Sequence, residues 1–301
     1  MSRPGSLARP LVPRFLLASF ADATGQLMAE RRDRTRRRLL SADAAVGELG
    51  DYTLSADHAA APPLARLLAQ AEERAADAIL QATAGVFPPR AADRASLALV
   101  LAVQLLLGRF HRAAAARTVA LVGQLIVSTI EETEAAREEA GEESAEESDE
   151  VETPEAERPE DAPAAGAPVA MLLGASPAPH SLATVPLLAR QLAARTWQLV
   201  RFPSRVLLTT DTPAVLWAPS EAAKAYQVGL GAAHEVRVPL DPRHALIVAR
   251  HAQAGEIVRD LSERHARALN RTVAEAAAEW MYYHPESDPL EGVELPSVAS
   301  E

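Results

Sequence analysis

The sequence predicts an α+β fold: a central helical block packed with a mixed or antiparallel sheet built from N-terminal and C-terminal strands. Three observations predict it. Short, turn-punctuated extended segments occur in 1–55 and again in 204–249. Helical spacing of apolar residues runs through 62–130. Strands and helices do not alternate in the β-α-β order of a Rossmann fold or a TIM barrel.

The elements follow in order. Residues 12–20 (VPRFLLASF) are apolar and read as extended, and 22–25 (DATG) have turn chemistry. Segments 26–32 and 35–42 are two strands of a hairpin around Asp33 and Arg34. Arginines 31, 32, 34, 36, 37 and 38 make this hairpin the densest positive patch in the chain. Alternate strand residues face opposite ways, so at most half of these arginines share a surface. The patch reads as solubilising edge-strand charge in preference to an anion or nucleic-acid site.

The helical block comes next. Leu64, Leu67, Leu68, Ala71, Ala75, Ala78 and Ile79 repeat at i, i+3, i+4 and i+7. Asp93 is the expected N-cap of a helix running to about Arg109, and 97–107 (LALVLAVQLLL) is apolar on every side. Such a helix belongs at the centre of the core. Eleven residues interrupted by Gln104 fall short of the ~20 needed to span a bilayer. A further helix is expected over 113–130. Structure resumes near Val169, with a helix over 182–199 and strands at 204–210, 214–217, 235–238 and 245–249, expected in one sheet. A last helix is expected over 255–280, followed by the aromatic run Trp280-Met281-Tyr282-Tyr283 as a hydrophobic plug.

Charge sets the domain reading. The chain has 301 residues, 30 basic and 41 acidic, for a net charge of −11. Residues 131–161 alone hold 16 acids and two arginines, so the remainder carries 25 acids against 28 bases. Acidic, proline-bearing and poor in apolar residues, 131–167 cannot bury enough surface to offset its ordering entropy. It reads as a disordered insertion in a single domain made of 1–130 plus 168–301. Cysteine is absent, which excludes a disulfide framework, a thiolate zinc site and a Cys nucleophile. No signal-peptide core is visible and prolines 4, 10 and 13 break the N-terminus, so the chain reads as cytoplasmic. A single lysine, Lys224, and about one alanine in five suggest a GC-rich bacterial genome.

Several segments, taken together, point to a family. Val12-Pro13-Arg14-Phe15-Leu16-Leu17-Ala18-Ser19-Phe20 resembles the opening of the domain-of-unknown-function family numbered 4238, His-x-Val-Pro-x-Phe-x-Leu-x-x-Phe. Gln104 to Arg109 resembles its Leu-Gln…Arg helix, and Thr209-Thr210-Asp211-Thr212-Pro213 its Thr-Ser-Asp-Asn-Pro turn. Pro239-Leu240-Asp241-Pro242-Arg243 resembles its Pro-Leu-Ser-Pro strand entry, and Leu269-Asn270 also fits. The likeness covers nearly the whole chain apart from 131–167. It implies no activity, because the family is uncharacterised. Pro10 stands where the family carries its initial His, and Pro can neither titrate nor donate.

Six residues are candidates for a ligand site: Thr210, Asp211, Gln104, Arg109, Asn270 and Arg243. A carboxylate and hydroxyls at a strand end can orient a ligand or a water. The competing reading of Thr210-Asp211-Thr212-Pro213 is an Asx/ST turn. Gln104 is a lone amide in an apolar helix and needs a partner, more often backbone than ligand. Arg109 is placed to pair with Asp211 or a phosphate, or to serve as a helix C-terminal cation. Asn270 is expected to tie the last helix to the sheet.

The eight histidines form no H-E-x-x-H or H-x-H pair, and no phosphate loop, dinucleotide fingerprint or nucleophile elbow occurs. No metal or cofactor is expected, and no membrane partner. Nucleic acid is disfavoured as a partner, with the 31–38 patch as its one foothold. The leading expectation is a non-catalytic ligand- or partner-binding domain. The alternatives are a hydrolase or nuclease-like enzyme using Asp211 with Gln104 and Arg109, and an interaction protein acting through 131–161.

Overall fold

The computed structural model describes residues 8–53, 61–108, 184–219, 230–251 and 255–296. All of them belong to one compact unit, Met1–Arg112 with Pro177–Glu301. The expected helix over 113–130 and the acidic segment 131–161 lie outside the described residues, as does Arg109.

β1 (Ala8–Pro10) pairs antiparallel with β4 (Asp51–Thr53), setting Pro10 opposite Asp51. Between them the chain is more helical than its sequence predicts. Residues expected as extended form α1 (Arg14–Ala18), and α2 (Ala42–Leu49) follows the hairpin. Pro13 sits just before α1, where its fixed φ and missing N–H suit a helix start. Ser41 caps α2 by accepting the Ala44 N–H, and Gly50, at φ 76°, ends it. The hairpin of β2 (Gln26–Arg31) and β3 (Arg37–Ser41) is as expected, with Asp33 accepting the N–H and hydroxyl of Thr35 in the turn.

α3 (Ala61–Thr83) and α4 (Ala91–Leu107) form the helical block with α5 (Val185–Ala194). Ten residues of α4 are buried, on all sides of the helix, which makes it the central one. It begins at Ala91, so Asp93 lies in its first turn and is not its N-cap. Arg94 of that turn donates to Ala193 O at 2.8 Å and Arg195 O at 2.5 Å, satisfying carbonyls at the end of α5.

The second half holds more strand than expected. The predicted helix over 182–199 stops at Ala194, and 196–201 become β5 (Thr196–Arg201). β5 lies in a five-stranded sheet ordered β10-β5-β9-β8-β7, with β7 (Val215–Trp217), β8 (Glu235–Asp241), β9 (His244–Ala249) and β10 (Ile257–Asp260). Its β10–β5 pair is parallel and the rest antiparallel. The predicted helix over 255–280 is therefore β10, α6 (Glu263–Ala276) and β11 (Trp280–Tyr283).

The four C-terminal strands expected in one sheet divide between two. β6 (Leu208–Thr210) joins a four-stranded sheet ordered β3-β2-β11-β6, which does unite N-terminal with C-terminal strands. The aromatic run expected as a plug is its interior strand, β11, pairing with β2 on one side and β6 on the other. Strand alternation explains the aromatic density. Trp280 and Tyr282 enter the larger core with α1 to α5, while Met281 and Tyr283 enter a second core with α6. Six helices and three sheets among the described residues make the fold α+β.

Candidate functional site

β6 ends in the turn Thr210-Asp211-Thr212-Pro213, all of it buried. The Thr210 hydroxyl accepts the Thr212 N–H at 3.0 Å and donates to Thr212 O at 2.9 Å. Asp211 reaches much further along the chain. Its Oδ1 accepts the Ala278 N–H at 2.7 Å, and its Oδ2 accepts those of Glu279 at 2.7 Å and Trp280 at 2.9 Å. Its own N–H donates to Trp280 O at 3.1 Å. The carboxylate thus takes three N–H groups that the α6–β11 connection would otherwise leave unpaired. Burial pushes the Asp211 carboxyl up, against the pull of the three N–H groups.

Asn270 of α6 uses its amide in the same manner. Its Oδ1 accepts the Leu208 N–H at 3.3 Å, and its Nδ2 donates to Val206 O at 2.6 Å and Pro289 O at 2.9 Å. One side chain joins α6, the start of β6 and the C-terminal segment. Gln104, 3% exposed, donates from Nε2 to Leu11 O at 3.3 Å, tying α4 to the chain between β1 and α1. Thr212 packs on the end of α4, where a Cβ added to Gly108 would lie 3.1 Å from the Thr212 methyl. The structure therefore gathers Thr210, Asp211 and Asn270 around β6, with α4 touching the turn. Each of these side-chain hydrogen bonds runs to backbone.

Arg243 stands elsewhere, in the turn between β8 and β9. Asp241 Oδ1 accepts the N–H groups of Arg243 at 2.6 Å and His244 at 2.8 Å. The same carboxylate bonds His244 Nδ1, at 2.8 Å from Oδ2. The turn is seated on the loop after β5: Phe202 N–H donates to Arg243 O, while those of Val206 and Leu207 donate to Pro242 O. A groove of about 460 Å³ opens here, lined by Arg201, Phe202, Pro203, Arg243, His244, Asp260 and Leu261. Arg201 is held by Asp260 through two hydrogen bonds of 2.8 and 3.0 Å. Arg243 makes no ion pair among the described residues. Sequence reasoning found Arg243 but missed His244 and the walls of the groove. The available signal was the Asp-Pro dipeptide, whose turn chemistry brings Asp241 under the residue three places on.

Two further buried groups were not anticipated. Glu30 of β2, 6% exposed, accepts the Tyr283 hydroxyl at 2.5 Å and Arg34 Nε at 3.1 Å. Burial and the neighbouring carboxylate push the Tyr283 phenol up. His284 is buried and accepts the Glu286 N–H at Nδ1; burial and then the Arg205 charge lower its pKa. The arginine patch is largely compensated. Arg31 faces Asp33 and Glu279, Arg34 faces Glu30, Arg38 faces Glu48 and lies over Trp280, and Arg37 lies over the Tyr283 ring.

A family profile matches residues 11–287. The chain belongs to the family described as Protein of unknown function (DUF4238). The match starts immediately after Pro10, and it takes in both the Asp211 turn and the groove of this DUF4238 chain. No curated protein and no solved structure matches it. Among the described residues of the DUF4238 chain, no three His, Asp or Glu side chains are grouped to hold a metal ion. No described helix is long and apolar enough to cross a membrane.

Proposed function

We propose that this DUF4238 chain is a non-catalytic binding domain. The observation that carries the reading is the engagement of Asp211. The hydrolase alternative needs that carboxylate free to activate a water or orient a substrate. Here both oxygens are taken up by the N–H groups of Ala278, Glu279 and Trp280, and Asn270 is likewise committed to backbone. Of the described candidate residues, Arg243 is the one whose side chain is not engaged by the protein, and it lines a groove.

The test is a screen for phosphodiesterase, esterase and nuclease turnover, with metal-replete and metal-free protein, beside native mass spectrometry of the purified chain. No turnover and a retained small molecule are expected. Turnover that disappears in Asp211→Asn, with thermal stability unchanged, would overturn the reading in favour of the enzyme.

A further inference from the structure

We infer that the groove beside Arg243 binds a small organic anion, an oxyanion head carried on an apolar body. The inference rests on the binding-domain reading and names the ligand class that domain takes.

The head group is assigned from charge and hydrogen-bonding capacity. Two arginines line the groove, Arg201 and Arg243, against one acid, Asp260. Asp260 is already engaged by Arg201 through both of its oxygens. That leaves the exposed Arg243 guanidinium, with five N–H donors and no ion pair among the described residues, free to meet an anion. A planar guanidinium matches the two oxygens of a carboxylate or phosphate head. His244 adds a ring of fixed orientation. The carboxylate of Asp241 takes up Nδ1, so the ring is a fixed side of the groove and the oxyanion is left to the arginine.

The body is assigned from the walls. Phe202, Pro203 and Leu261 offer apolar surface beside the cations. A groove of about 460 Å³ is within the range that holds a small-molecule ligand. Bare phosphate would leave that apolar surface wet, whereas an aromatic or aliphatic body covers it.

The site is also preorganised. Asp241 pins the turn from within through the N–H groups of Arg243 and His244. From outside, Phe202, Val206 and Leu207 donate their N–H groups to Arg243 O and Pro242 O. Strand pairing sets His244 opposite Arg201 across β9 and β5, and Asp260 opposite Arg201 across β10 and β5. The groove lies where three strands of one sheet end, so its backbone is fixed before a ligand arrives and the exposed Arg243 side chain is what the ligand must order.

The 301-residue chain is titrated with phenyl phosphate by calorimetry, with benzoate, inorganic phosphate and benzyl alcohol as comparison probes. Saturable binding of phenyl phosphate and benzoate is expected, with inorganic phosphate and benzyl alcohol at least about tenfold weaker. Arg243→Ala is expected to weaken phenyl phosphate about tenfold or more, with Arg243→Lys in between, because a lysine keeps the charge but not the fork. Arg271→Ala, on the exposed face of α6, leaves binding unchanged. The assignment is overturned if phenyl phosphate does not bind at millimolar concentration, or if Arg243→Ala binds it as the parent does. Recovering the ester intact separates the two readings. Binding followed by hydrolysis leaves the anion site standing and ends the non-catalytic reading, whereas loss of binding ends the anion site alone.

Discussion

Asp211→Asn is the substitution that separates a structural carboxylate from a functional one. It preserves shape and removes one acceptor oxygen. If the remaining oxygen takes the place of Oδ2, it keeps the Glu279 and Trp280 N–H groups and turns an amide NH₂ toward the Ala278 N–H, 2.7 Å away. The opposite flip sacrifices two bonds. At least one hydrogen bond to a charged acceptor becomes a donor–donor contact, a loss of about 1.5–3 kcal/mol. Removing a buried charge offsets part of this, since burial already works against the ionised form. A net destabilisation of about 2 kcal/mol follows, or roughly 4–8 °C in Tm for a unit of this size. The assay is urea and thermal unfolding, joined to hydrogen exchange at the amides of residues 278, 279 and 280. The midpoint should fall with an unchanged urea slope, and at least one of the three amides should exchange faster. A variant as stable and as protected as the parent, yet unable to retain its ligand, would refute the structural account.

Two other outcomes follow from the same geometry. Gln104→Ala leaves the half-buried Leu11 O without its donor from α4 and should cost about 1–3 kcal/mol, read as a lower urea midpoint. His284, whose pKa is lowered in the fold by burial and then by Arg205, binds a proton more readily when unfolded. The unfolded chain then holds more protons between the lowered folded value and about 6.5, so stability is lost as pH falls through that window. Thermal midpoints recorded from about pH 7.5 to about pH 5 should fall less steeply for His284→Gln than for the parent.

Local chemistry determined a good part of the architecture. The all-round apolar run of α4 has no favourable place but the interior, and Asp33 closes a hairpin with bonds it makes two residues away. Gln104, Asn270, Thr210 and Asp211 were recognisable as polar groups needing partners, because their apolar or turn surroundings are themselves local. The identity of the partners was not. Asp211 bonds to backbone 67 to 69 residues on, and Asn270 to backbone 62 and 64 residues back and 19 on. The segment after Ala194 reads as the end of a helix and 280–283 as a hydrophobic plug for a related reason: a short segment suits helix, strand or plug equally until its neighbours are known. β9 and β10 flank the first, and β2 and β6 the second, and those ladders supply hydrogen bonds that decide for strand. The groove is the limiting case. Arg243, His244, Phe202 and Leu261 come from three separate strand ends. Only sheet pairing, which acts between residues distant in the chain, brings cation and apolar wall to one place.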